Sequence, residues 1–235
     1  MGKIVFLGDS VTASANVSLA AKWAQLVAIA AGYAPADIII MGYPGEKSAQ
    51  ILTHLPEALA YLPDKLVLMP TVNDGANGVL LSVHVDNYSS IIEQAQAAGI
   101  EVVIVTPPIY RANVAAWRPW HGEWLKLAAK YKCHLVDVTR AYGWERVADV
   151  PVFEALYVDI NDVVHQSLAG NSRIAALCGE PIHAGAFVKA APVPPASGCP
   201  ECTPPSTELQ LASLDLLANG ATVARLERLR AALPA

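Results

Sequence analysis

Short apolar runs alternate along the chain with longer segments in which apolar residues recur every three or four positions. The runs are rich in Ile, Val and Leu and show little alternation with polar residues, which is typical of strands buried on both faces of a sheet. Five runs are therefore predicted as strands: Lys3–Leu7, Asp37–Met41, Lys65–Met69, Glu101–Thr106 and His134–Val138.

The segments between these runs have the spacing of amphipathic helices. Gly32 and Gly99 directly follow two of them, at positions where glycine commonly ends a helix. A further helix is predicted after a long irregular stretch that ends near Gln166. The predicted helices are Leu19–Ala31, Ser48–Leu59, Val83–Ala98, Glu123–Tyr131 and Leu168–Leu177.

This alternation of strands and helices predicts an α/β fold built on a five-stranded parallel sheet. Helices on both faces of the sheet make it a three-layer, flavodoxin-like sandwich. Because crossovers between parallel strands are right-handed, we expect the carboxyl ends of all the strands at one edge. Polar residues that follow the strands are therefore the first candidates for a functional site.

Composition divides the chain into three parts. We predict an α/β domain over residues 1–180, a proline-rich linker over residues 181–205 and a C-terminal helical tail over residues 206–235. The linker holds a Cys-x-x-Cys pair, Cys199 and Cys202, for which a disulfide, a metal site shared between subunits and two idle thiols all stay open. No metal or organic cofactor is predicted.

The predicted tail has a weak heptad pattern. Leu209, Leu216 and Val223 lie seven residues apart, as in the seam of a coiled coil. The tail either packs back on the domain or joins copies of the chain into a homo-oligomer through residues 206–233. We favour the homo-oligomer because the preceding domain already accounts for a complete core.

Charge and hydropathy narrow the class of partner. The chain has 235 residues, of which 54% are apolar and 16% charged, with a net charge of −5 and no cluster of Lys and Arg. Nucleic acid and anionic membranes are therefore not expected as partners. No apolar run reaches the length of a membrane span, and the first strand begins at Lys3, which leaves no room for a signal peptide. We expect a cytoplasmic protein or a component of a larger particle.

Four segments near the predicted sheet edge carry groups suited to acyl transfer. Ser10 follows the first strand and is a candidate nucleophile, and His165 is a candidate general base because histidine is the residue type most often suited to that role. Asp162 is close enough in sequence to orient that imidazole. Gly45 and Asn73 follow the second and third strands and offer a backbone N–H and a side-chain amide to an oxyanion. Glycine suits this role at position 45 because the absence of a side chain lets its backbone N–H come close to the substrate oxygen.

These segments resemble the motif blocks of the SGNH (GDSL) hydrolase superfamily over residues 3–178. The resemblance implies Ser10 as nucleophile, Asp162 and His165 as acid and base, and an oxyanion hole formed by Ser10, Gly45 and Asn73. The chain departs from the family at two places: Thr71 stands where the third block has glycine, and Ile40 stands where the second block has asparagine. We expect the β-branched Thr71 to narrow the pocket.

The resemblance implies a serine esterase. Because the sequence contains no long apolar lid, we expect short-chain esters as substrates, with O-acetyl groups preferred; the tryptophans that follow the fourth strand suggest that these groups are carried on carbohydrate. Trp117 is a candidate for stacking on a sugar, whereas Trp120 and Trp124 are expected in the core. Lysophospholipase or thioesterase activity and a catalytically silent binding module are the alternatives. A flavin-binding protein, with Ser10, Thr12 and Ser14 around a phosphate, is a further rival.

Overall fold

A computed structural model describes residues 2–110, 114–142, 155–159, 161–162 and 164–182. All five predicted strands form, and they pair in parallel in the order β2-β1-β3-β4-β5. The strands are β1 (Lys3–Gly8), β2 (Ile38–Gly42), β3 (Pro63–Leu68), β4 (Glu101–Val105) and β5 (His134–Val136). The predicted α/β fold with a parallel five-stranded sheet is confirmed.

Helices cover both faces of this sheet. Two 3-10 turns, Leu19–Ala21 and Pro35–Asp37, precede α2 and β2. Among the described residues the helices are α1 (Ser10–Ala13), α2 (Trp23–Ala30), α3 (Ser48–Thr53), α4 (Leu55–Ala60), α5 (Asn73–Ala76), α6 (Leu81–Ala97), α7 (Val114–Tyr131), α8 (Val138–Ala141) and α9 (Leu168–Ile182).

The helix boundaries differ from the predicted ones where proline and local turns intervene. The segment predicted as one helix over Ser48–Leu59 is two helices that meet at His54, which ends α3 and precedes α4. Pro56 lies in the first turn of α4, where its missing N–H costs no hydrogen bond. Helix α7 begins at Val114 rather than Glu123 and contains Pro119 in its interior.

The core consists of two layers that β1 separates. Ile4 and Phe6 point to the side covered by α2 and α9, and Val5 and Leu7 point to the side covered by α3, α4 and α6. All four side chains are fully buried. The unbroken apolar run of β1 therefore reflects burial on both faces, as the sequence predicts.

The predicted tail and the linker beyond residue 182, with Cys199 and Cys202, lie outside the described residues, whereas residues 181 and 182 of the predicted linker belong to α9. Within the described residues, Cys178 is buried and Cys133 half-buried, and both are free thiols. Burial raises the pKa of Cys133 to about 11. No described helix is long and apolar enough to cross a membrane.

Candidate active site

Ser10 lies on a tight turn between β1 and α1. Asp9 caps the short helix, since its Oδ1 accepts a hydrogen bond from the Val11 N–H at 2.9 Å. The turn requires glycine at position 8, because a Cβ there would lie 2.9 Å from the carbonyl oxygen of Met69 and closer still to Thr12. This close packing holds the half-buried Ser10 at the carboxyl edge of the sheet.

His165 connects Ser10 to Asp162. Its Nε2 lies 3.0 Å from the Ser10 Oγ, and its Nδ1 lies 2.9 Å from the Asp162 Oδ2. A carboxylate only accepts hydrogen bonds, so this pairing assigns the ring proton to Nδ1 and leaves Nε2 to accept the serine proton. The three side chains predicted from separate parts of the chain therefore form one hydrogen-bonded row.

Asp162 is fixed from both sides. Its Oδ1 accepts the N–H groups of Val164 at 3.0 Å and of His165 at 2.8 Å, while Oδ2 accepts from the imidazole. Partial burial raises the pKa of Asp162, but the hydrogen bonds from His165 and Val164 outweigh burial and hold it below its ordinary value. The group that orients His165 is thus a carboxylate at neutral pH.

The two expected oxyanion donors share a cavity with this row. Asn73 donates from Nδ2 to the carbonyl oxygen of Glu46 at 2.9 Å, which uses one of its two amide hydrogens and leaves the other available. Gly45 has a φ of +80°, and a Cβ at Gly45 would meet nothing within 4 Å. Glycine is therefore favoured at this position by its backbone conformation, since the surrounding protein leaves room for a Cβ.

The cavity has a volume of about 550 Å³. It brings together the residues predicted as nucleophile, base, orienting acid and both donors, and it adds an apolar wall and a half-buried tyrosine. Its lining residues are Ser10, Pro44, Gly45, Val72, Asn73, Ala76, Tyr110, Asn161, Asp162, Val164 and His165. Tyr110 was not predicted, although an aromatic residue shortly after β4 at the carboxyl edge is a signal that the sequence carries.

The prediction that Thr71 narrows the pocket is wrong. Thr71 is fully buried and is not among the residues that line the cavity. Its neighbour Asp9 is 1% exposed, and its Oδ2 accepts from the Thr71 hydroxyl at 2.9 Å and the Val72 N–H at 3.1 Å. Burial raises the pKa of Asp9, and these hydrogen bonds oppose that effect.

A buried row of polar groups supports the helix that begins with Asn73. Asp74 accepts the Ser48 N–H at 2.9 Å and pairs with Nδ1 of His84 at 2.8 Å, and Trp124 donates to the other ring nitrogen at 2.9 Å. His84 is fully buried, and burial lowers its pKa against the effect of Asp74. Sequence motifs did not single out His84, because this role depends on contacts between distant helices.

Three tryptophans of α7, Trp117, Trp120 and Trp124, pack behind the cavity. Trp117 is 6% exposed and does not line the cavity. Its ring packs against Tyr110, and it lies so close to Gly75 that a Cβ added to Gly75 would be 2.7 Å from the Trp117 ring. The expected stacking of Trp117 on a sugar does not fit this burial. Trp124 is buried as expected, and Trp120 is half-buried.

The flavin interpretation does not fit the turn around α1. Thr12 and Ser14 are 1% and 3% exposed, and the Ser14 hydroxyl lies 2.8 Å from both the Val11 carbonyl oxygen and Asn171. Two of the three hydroxyls needed to hold a phosphate thus face the interior. Among the described residues there is also no group of His, Cys, Asp and Glu that could hold a metal ion.

A serine, histidine and aspartate in hydrogen-bond contact at the carboxyl edge of a parallel sheet define a serine hydrolase. The model of the GDSL-like lipase/acylhydrolase family matches residues 6–173. The chain belongs to this family and is accordingly an ester hydrolase, as the motifs predict. Among curated proteins, none matches the chain significantly in sequence.

Solved structures share the fold at low sequence identity. An acetyl xylan esterase, AlAXEase, is 22% identical with a TM-score of 0.63, over 74% of this chain and 96% of that chain. An acetyl-xylooligosaccharide esterase mutant from Geobacillus stearothermophilus, Axe2, is 19% identical with a TM-score of 0.62, over 77% and 94%. A lipase/acylhydrolase from Enterococcus faecalis is 21% identical with a TM-score of 0.63, over 78% and 96%. At these identities the likeness concerns the fold.

Proposed function

We propose that the protein hydrolyses short-chain carboxylic esters, with O-acetyl groups on carbohydrate as the preferred substrate, through an acyl-enzyme on Ser10. The observation that carries this proposal is the hydrogen-bonded row from Ser10 through His165 to Asp162, at 3.0 and 2.9 Å. Each group in the row has the partner that its step requires.

In the first half of the reaction the Ser10 Oγ attacks the ester carbonyl while His165 Nε2 takes its proton. The carbonyl oxygen becomes an oxyanion, which the N–H groups of Ser10 and Gly45 and the free amide hydrogen of Asn73 stabilise. Asp162 stabilises the imidazolium that forms. His165 then gives its proton to the departing alcohol oxygen, and the acyl group stays on Ser10.

In the second half water replaces the alcohol. His165 takes a proton from the water as its oxygen attacks the acyl carbon, and the same three donors stabilise the second oxyanion. The intermediate collapses, the acid departs and the proton returns to the Ser10 oxygen. The free enzyme is restored without any external reactant except water.

The packing behind the cavity supports a short acyl group. Val72, which lines the cavity, is 3% exposed and packs against Trp117 and Trp124. Trp117 also fills the space next to Gly75 in α5. Because these large rings occupy the volume behind the apolar wall, we expect that a long acyl chain cannot extend in that direction between the described residues.

Two groups at the cavity support a carbohydrate alcohol. The half-buried Tyr110 offers an aromatic face, and Asn161 offers an amide at the exposed side. Aromatic faces and amides are suited to the apolar faces and hydroxyls of sugars. The fold is also that of the two enzymes whose substrates are acetyl xylan and acetyl-xylooligosaccharides.

Cleavage of longer acyl esters, as in a lysophospholipase or thioesterase, is the second candidate. The favouring observation is the apolar wall formed by Val72, Ala76 and Val164. Chain length separates the two candidates, since the packing of Trp117 predicts that activity falls beyond short acyl groups.

The test is a series of p-nitrophenyl esters from acetate to octanoate, run beside acetate release from acetylated xylooligosaccharides. We expect the highest kcat/KM on acetate and loss of turnover in Ser10→Ala. Ser82→Ala, which changes an exposed serine of α6, is the matched control. Turnover by Ser10→Ala at the wild-type rate would refute the mechanism, and a preference for octanoate would refute the substrate class.

A further inference from the structure

Thr71 occupies a position where three segments of the active site meet. It lies between β3 and α5, has no exposed surface and does not contact the cavity. The third motif block of the family has glycine at the position of Thr71, so the threonine side chain is a departure of this chain from the family pattern. Its hydroxyl therefore has no role in the mechanism described above.

The hydroxyl of Thr71 contacts each of the three segments that carry a proposed oxyanion donor. Its Oγ1 lies 2.9 Å from Asp9 Oδ2 and 2.9 Å from the Glu46 carbonyl oxygen, and it accepts the Asn73 N–H at 3.1 Å. Asp9 precedes Ser10 in sequence, and Glu46 follows Gly45. One buried oxygen thus joins the three segments that supply the oxyanion hole.

The same contacts set the orientation of the Asn73 amide. The Glu46 carbonyl oxygen that lies beside Thr71 also accepts a hydrogen bond from Asn73 Nδ2 at 2.9 Å. A shift of that carbonyl oxygen would therefore turn the Asn73 amide, together with its second hydrogen, which we assign to the oxyanion. The backbone of Thr71 is itself held, because its N–H donates to the fully buried Tyr88 hydroxyl at 2.7 Å.

The hydroxyl has one hydrogen for two oxygen neighbours. An ionised Asp9 takes that hydrogen, whereas a protonated Asp9 donates to Thr71 and leaves the hydrogen to the Glu46 carbonyl. In both arrangements Thr71 also accepts from Asn73, so it links the third segment to at least one of the others.

We propose that Thr71 is a positioning residue whose buried hydroxyl holds the oxyanion donors of Ser10, Gly45 and Asn73 in register. This inference rests on the proposed esterase function. Oxyanion donors accelerate a reaction because they are already oriented before charge develops, and small displacements reduce that effect. Removal of the hydroxyl should therefore act on the transition state more than on substrate binding.

The test compares Thr71→Val, Thr71→Ala and Thr71→Ser with p-nitrophenyl acetate as substrate. We expect Val and Ala to lower kcat by about ten- to a hundred-fold with KM changed by less than about two-fold, less than the loss of a whole donor. Ser keeps the hydroxyl and should restore kcat to near the wild-type value. Ala adds no bulk, so it serves if Val does not fold.

Thr139→Val is the matched control. Thr139 is 2% exposed and its hydroxyl is bonded to Thr106 and the Pro107 carbonyl oxygen, away from the cavity lining. Thr139→Val should lower the free energy of unfolding by about as much as Thr71→Val does, while it keeps the wild-type kcat. Wild-type kcat in folded Thr71→Val or Thr71→Ala, or an equal kcat loss in Thr139→Val, would overturn the inference.

Ser10→Ala separates this inference from the proposed function. If Ser10→Ala loses turnover and folded Thr71→Val does not, the esterase mechanism stands and the role of Thr71 is wrong. If Ser10→Ala keeps turnover, the mechanism itself is wrong and the role of Thr71 falls with it.

Discussion

The side-chain oxygen of Asn171 lies 2.8 Å from the Ser14 hydroxyl and joins α9 to the end of α1. The same oxygen accepts the Trp23 N–H at 3.1 Å, and the amide nitrogen donates to the carbonyl oxygens of Gln166 and Ser167 at 3.2 and 3.0 Å. Asn171 is fully buried. One carboxamide thus ties the segment after His165 to the helix that carries Ser10.

Asn171→Asp should destabilise the fold and weaken catalysis together. A carboxylate cannot donate to the two carbonyl oxygens, and its charge would be buried against them. We expect a loss of about 2–5 kcal/mol in the free energy of unfolding, measured by urea denaturation, and a lower kcat in the folded fraction. Asn87→Asp is the control, because Asn87 is only half-buried, donates to the Ser48 hydroxyl and would keep an introduced carboxylate in contact with water. Equal losses in the two variants would contradict the role of Asn171.

Gly45→Ala should reduce kcat without a steric clash. The φ of +80° strains an alanine by about 1–2 kcal/mol, and relief of that strain moves the N–H that we assign to the oxyanion hole. We expect kcat to fall by about 10²–10³ if the donor is lost.

Gly78→Ala provides the comparison for Gly45→Ala. Gly78 has a φ of +71°, open space around its Cβ position and no place in the cavity lining. Both variants should lose similar stability in thermal unfolding, but only Gly45→Ala should lose kcat. A normal kcat in Gly45→Ala would remove this N–H from the mechanism.

Trp117 should limit the length of the acyl chain. Trp117→Phe shortens the ring that packs beside Gly75 and behind Tyr110, and Trp117→Ala removes it at a cost of about 3–5 kcal/mol. We expect the ratio of kcat/KM for butyrate and octanoate esters to that for acetate to rise in both variants.

Trp23→Phe is the matched control for that series. Trp23 is fully buried in the layer on the other side of the sheet, where it packs edge-to-face on Phe6. Its substitution should lower stability and leave the chain-length ratio unchanged. An unchanged ratio in the Trp117 variants would show that other residues set acyl length.

Stability should fall with pH below about 6.5 because of His84. Burial lowers the pKa of His84 in the folded state, so on acidification the unfolded chain gains a proton that the folded chain does not, and the free energy of unfolding decreases. Asp74, whose pKa is lowered by His84 and Ser48 against burial, adds a loss of the same sign only below its ordinary value of 3.8.

His84→Gln removes the titrating group and should flatten the pH dependence above the range of Asp74. The measurement is the free energy of unfolding in urea for both proteins from about pH 5 to 8. Parallel slopes for wild type and variant over this range would contradict the assignment to His84.

The strands were predictable because burial on both faces of the sheet produces a local sequence pattern. A strand such as β1 needs an apolar residue at every position, and this pattern does not depend on which strands pair with it. The helix that divides at His54 was not predictable in the same way, because its apolar spacing continues through the break. The early start of α7 was missed because Pro119 reads as a helix boundary while packing keeps the helix continuous.

The contact between Ser10 and His165, the proposed reacting groups, was predictable because both lie in short motifs whose residue types follow from the chemistry. The residues that hold these groups in place were not predictable from the sequence. Thr71, His84 and Asn171 act through side-chain contacts with segments far away in sequence, and no local pattern encodes such contacts. Trp117 was misplaced for the same reason, since a tryptophan near the sheet edge has the same sequence signal whether its ring faces substrate or supports Tyr110.

The late position of His165 has a consequence for the order in which activity arises during synthesis. Ser10 leaves the ribosome first, but its base and the Asn171 anchor follow after all five strands. A nascent chain that ends before Asp162 therefore has the proposed nucleophile without its base, and we expect it to hydrolyse no ester. Activity is expected only once His165 and the contacts of Asn171 in α9 are in place, so the onset of hydrolysis marks the folding of the last helix onto the sheet.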